Sequence, residues 1–167
     1  MSAGQAPPMI LAIGNRDDFL HVYKDDRELL SDDDIGAGVG ETSGPLEFFN
    51  SDGYRLTGVY DQRWHLLRLV PTADPPELPA LRRRVRDVID SMRSYIMRHP
   101  EEAALYGMTP DEALALFPSL SKSRNFKTTL LAFVVDRERA HSRTAGLGDD
   151  HPGDQWHNFW HRRGWRH

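Results

Sequence analysis

The chain has 167 residues, of which 39% are apolar, 10% aromatic and 28% charged, the balance of one ordinary globular domain that can build its core without staples. It contains no cysteine, which excludes disulfides, iron–sulfur clusters, thiolate zinc sites and a thiol nucleophile. The net charge of −4 is unevenly spread: residues 1–76 hold 13 acidic and 6 basic side chains, net −7, and residues 77–167 hold 12 and 15, net +3.

Residues 1–8 have no basic leader and read as a flexible lead-in. The apolar run Met9 to Ile13 is too short for a signal core or a membrane span, so it is expected to be a strand in a cytoplasmic protein. Phe19 to Tyr23 reads as a second strand. Lys24 to Asp34 places Leu29 and Leu30 among six acids, which suits a short helix or a strand end. Gly36, Gly38, Gly40 and Gly44 make Ile35 to Pro45 a loop.

Leu46 to Phe49 runs into Asn50-Ser-Asp-Gly53, a hairpin signal because Asp-Gly tolerates positive φ. Tyr54 to Tyr60 alternates as a half-buried strand does, Asp61 to Arg63 turns the chain, and Trp64 to Val70 is the last strand. Of Trp64 and His65, one is expected in the core and the other at its edge.

From residue 78 the period changes. Leu78, Leu81, Val85, Val88, Ile89, Met92 and Ile96 form one stripe of a helix over 78–98, broken at His99-Pro100. Thr109-Pro-Asp-Glu112 is a capping box that starts a helix running to Leu116. A further helix is expected over about 123–140, with a strand over Thr128 to Val135 as the alternative. A linker over 144–153 and a final helix over 154–163, capped by Asp154, complete the chain. Strands first and helices afterwards predict a single α+β domain, an antiparallel β-meander packed against three to four helices.

The candidate functional residues cluster near the C-terminus. On a helix, His157 and His161 share a face and could hold a divalent metal ion, with His151, Asp149 or Asp150 completing the shell. Asn158 stands where zinc proteases keep a glutamate base, so that type of hydrolysis is not supported. Trp156, Trp160 and Trp165 alternate with Arg162, Arg163 and Arg166, which suits packing onto the domain, an interface anchor or stacking on nucleic acid.

Arg82 to Arg86 could meet phosphate or an acidic partner, though a solvated face is the plainer reading, and the acidic balance of the chain weighs against DNA. The stretch Asp25, Asp26, Glu28, Asp32, Asp33 and Asp34 lacks the spacing of a calcium loop, and reads as a solvated face or one offered to a basic partner. Gly36-Ala-Gly-Val-Gly40 lacks the lysine ending of a phosphate loop, and there is no Gly-x-Ser-x-Gly elbow.

These features favour a small protein-binding module, such as an accessory or toxin-neutralising factor, without a cofactor and without a membrane association. The alternative is an enzyme with a metal site at the C-terminal histidines. A weaker one is nucleic-acid binding through the basic, aromatic tail.

Overall fold

The computed structural model describes residues 7–15, 20–32, 46–63, 65–104, 107–115, 125–131 and 133–134. Five strands, β1 (Ile10–Gly14), β2 (Leu20–Tyr23), β3 (Leu46–Asn50), β4 (Arg55–Tyr60) and β5 (Leu66–Pro71), form one antiparallel sheet in the order β2-β1-β3-β4-β5. Helices are α1 (Asp26–Leu30), α2 (Leu78–Arg98), α3 (Pro100–Ala104), α4 (Pro110–Ala115) and α5 (Phe126–Leu131). The arrangement is α+β, with the sheet from the N-terminal half and most of the helix from the C-terminal half.

β3, β4 and β5 make the expected meander. β2 does not continue it, because β1 lies between β2 and β3 and pairs with both. The reason is in the composition of β1: every residue from Ile10 to Gly14 is buried, so both faces need cover and both edges a neighbour. An all-apolar strand placed at an edge would expose its backbone and half its side chains.

Strand alternation divides the interior into two clusters. Leu11, Ile13, Leu20 and Val22 face α2, which brings Leu81, Val85, Val88, Met92 and Ile96 onto them. Ile10, Ala12, Tyr23, Phe48 and Leu56 face the other way, where Leu29 of α1 is fully buried among them. α1 touches both edge strands, β2 and β5. α1 therefore lies across the face of the sheet opposite α2. The chain makes α1 with reciprocal caps: Asp25 accepts from the Glu28 amide at 2.9 Å, and Glu28 accepts from the Lys24 amide at 2.6 Å.

The capping box at α4 forms as expected, with the Thr109 amide donating to Glu112 Oε2 at 2.8 Å and the Glu112 amide to Thr109 Oγ1 at 3.2 Å. The helix expected over 123–140 is not continuous. α5 ends at Leu131, and Val134 makes a parallel bridge to Val22 on the outer edge of β2. A β-branched residue at an open strand edge is worth more there than in a further helical turn. A short helix, α3, follows the break at His99, where the sequence suggested only an interruption.

Candidate functional site

Two features stand out from the packed elements. The first is a buried polar relay. Tyr23 Oη donates to Asp32 Oδ2 at 2.7 Å, and His21 Nδ1 lies 2.9 Å from the same hydroxyl. The hydroxyl has one proton and gives it to Asp32, so His21 Nδ1 is the donor in the other bond. Asp32 follows α1 directly, and its amide donates to Leu29 O at 3.0 Å. The relay thus pins the end of α1 to β2. Asp32, at 3% exposure, is not part of a solvated acidic face or a partner surface. The sequence hid this because its acidic neighbours (Asp25 and Asp26 among them) suggested one continuous wet stretch. Tyr23 and His21, two apart on one face of β2, were the missed signal.

The second feature is an uncovered part of the sheet. The pairing of Phe49 with Arg55, Thr57 with Val70 and Val59 with Arg68 puts these residues on the α2 side of the sheet. α2 covers that side over β1, β2 and β3 but not over β4 and β5: Arg55, Thr57, Arg68 and Val70 are all exposed. Leu67, the extra residue at the β-bulge opposite Val59 and Tyr60, is 56% exposed, and Val70 is 37% exposed. Glu47 marks the border, accepting from Arg84 of α2 at 2.7 Å and from Arg55 of β4 at 2.8 Å. Arg84 also lies over the Phe49 ring, 5.4 Å from its centroid. Beyond that border, Arg63 and Arg68 make no ion pair among the described residues.

The hairpin that carries this face is locally well determined. Asp61 accepts from the backbone amides of Arg63 at 2.7 Å and His65 at 2.9 Å, and its other oxygen lies 3.1 Å from His65 Nδ1. The His65 amide, foremost among these donors, holds the Asp61 carboxyl below its ordinary range. The Tyr60 ring lies against Gly58, so close that a Cβ there would stand 2.8 Å from it. Partial burial raises the Tyr60 phenol above its ordinary value.

Asp149, Asp150, His151, Trp156, His157, Trp160, His161, Arg162, Arg163, Trp165 and Arg166 lie outside the described residues, as do Asp33, Asp34 and Trp64. Arg82 sits over the Phe126 ring at 5.7 Å, so it serves packing between α2 and α5, while Arg83 and Arg86 are exposed. Among the described residues, no three histidine, aspartate or glutamate side chains gather where they could hold a metal ion, and no helix is long and apolar enough to cross a membrane.

The chain matches no protein-family model, no curated protein and no solved structure.

Proposed function

We propose that the chain is a small protein-binding module that docks through the open face of β4 and β5. One observation carries this reading: exposed Val70 lies beside half-buried Val59 on a sheet surface whose other half is closed by α2, with exposed Leu67 at the adjoining bulge. Exposed apolar residues scattered singly are ordinary. Grouped on a rigid sheet and rimmed by arginine, they have the composition of an interaction surface. Such a domain suits an accessory or neutralising factor, which acts by occupying a partner.

A photo-crosslinking residue at position 70, with one at Asp87 on the exposed side of α2 as control, tests the reading in the native host. A discrete protein adduct from position 70 alone is expected. Leu67→Asp with Val70→Asp should abolish recovery of the same protein at both low and moderate salt. No adduct, or the same adduct from both positions, would remove the proposal.

A further inference from the structure

We infer that the partner presents an acidic amphipathic helix, laid on β4 and β5 beside α2. This rests on the docking reading above and adds the class of partner.

The first argument is width. Strands are spaced by about 4.8 Å, and a helix with its side chains is about 10 Å across. The two uncovered strands therefore leave room for one helix, in the layer that α2 already occupies over its part of the sheet. A helix there would cover Val59 and Val70, with Leu67 at the bulge beside them, as α2 covers Leu11 and Ile13, and so extend an existing layer.

The second argument excludes the other common way of using a sheet. Strand addition needs a free row of amides and carbonyls along the outer edge of β5. The Thr72 amide donates to Arg55 O at 3.0 Å, so the neighbouring pair Leu56 and Pro71 is the non-bonded kind, and the nitrogen of residue 71 points outward. Proline has no proton to offer there, which blunts the edge. The bulge at residues 59 and 60 disturbs the same edge nearer the hairpin tip. The face is open, and the edge is guarded.

The third argument is charge. Glu47 is shared by Arg55 and Arg84, leaving that trio with one net positive charge. Arg68 stands between Leu67 and Val70 without an ion pair among the described residues, and Arg63 does the same at the hairpin tip. Carboxylates flanking an apolar stripe at helical spacing would meet these guanidiniums as the stripe meets Leu67, Val59 and Val70. A basic helix would be repelled. The apolar members are aliphatic and not flat rings, so a stack of nucleic-acid bases has little to rest on.

The test is selection of a displayed library of single helices, randomised at every solvent position, against the immobilised full chain. The Leu67→Asp/Val70→Asp variant serves as counter-selection. Enriched helices should carry an apolar stripe flanked by Glu or Asp, bind Arg68→Glu about tenfold more weakly than wild type, and shift the amide resonances of β4 and β5. Enriched helices that are neutral or basic, or that bind Arg68→Glu equally well, would overturn the acidic-helix assignment and leave the docking face standing. If no helix distinguishes wild type from the doubly substituted chain, the docking face falls as well. Retention on anionic phosphatidylglycerol vesicles or on single-stranded DNA, lost in Arg68→Glu, would overturn the assignment in favour of lipid or nucleic acid.

Discussion

Gly53 shows how one residue joins two halves of the fold. Its φ of 94° closes the turn after β3, and its carbonyl accepts from the Glu77 amide at 3.0 Å, just before α2 starts. A Cβ at this position would stand 2.7 Å from the Leu78 nitrogen, which is backbone and cannot swing away. Gly107 also has positive φ, at 69°, but open space around it. Alanine at 107 therefore tests conformational strain alone, of order 1 kcal/mol, and alanine at 53 adds a collision, so about 2–3 kcal/mol in total is expected. Urea midpoints should fall in that order, and equal midpoints would show that the close approach relaxes at no cost. Tyr23→Phe makes a second residue-scale prediction. It keeps the ring in the core and deletes the hydroxyl that joins His21 to Asp32, so stability should drop by about 1–2 kcal/mol. The loss should be accompanied by faster amide exchange in α1, and unchanged exchange there would mean that the relay does not hold the helix.

Elements differ in how openly the sequence announces them. α2 was legible because a seven-member apolar stripe repeats over its length, and all of it but the half-buried Leu78 at the start is buried: Leu81, Val85, Val88, Ile89, Met92 and Ile96. The hairpins were legible from turn chemistry: Asn50 Oδ1 accepts from the amides of Asp52 and Tyr54, at 3.1 and 3.0 Å, as the Asn-Ser-Asp-Gly motif suggests. The end of α5 was not, because the helical spacing of Phe126, Leu130, Phe133 and Val134 cannot reveal that Val134 meets the edge of β2. The open face of β4 and β5 was missed for a similar reason. Leu67 and Val70 read as ordinary strand residues, and only the position of α2 leaves them bare. The turn that presents this face depends on Asp61, and the sign of its pH response follows from its depressed pKa. Its support of the turn is fully present above the unfolded carboxylate value and is lost as the pH falls through the lower folded one. Asp61→Ala should speed amide exchange at Arg63 and His65 near neutrality, and the gap to wild type should narrow in acid. A gap that stays constant down to strongly acid pH would detach the turn from the carboxylate.

On the scale of the whole molecule, β1 is the shared wall of two cores. Ile10 and Ala12 belong to the cluster under α1, while Leu11 and Ile13 belong to the cluster under α2. The run Met9 to Ile13 was visible as apolar but not as central, since one strand's composition does not say which neighbours it takes. With both faces buried, β1 cannot be exposed without opening both clusters, so its amides should exchange only through global unfolding. α3 and α4, five and six residues long with one buried alanine each, should open locally at much lower cost. Leu11→Ala should cost about 2–5 kcal/mol, a large part of the roughly 5–15 kcal/mol typical of a domain. It should also lower protection in α1 and α2 together, although α1 lies across the sheet from the deleted side chain. Native-state hydrogen exchange across a urea series checks this directly. If Leu11→Ala loosens α2 and leaves α1 untouched, the two clusters are separate units, and a partner on β4 and β5 would stabilise only one of them.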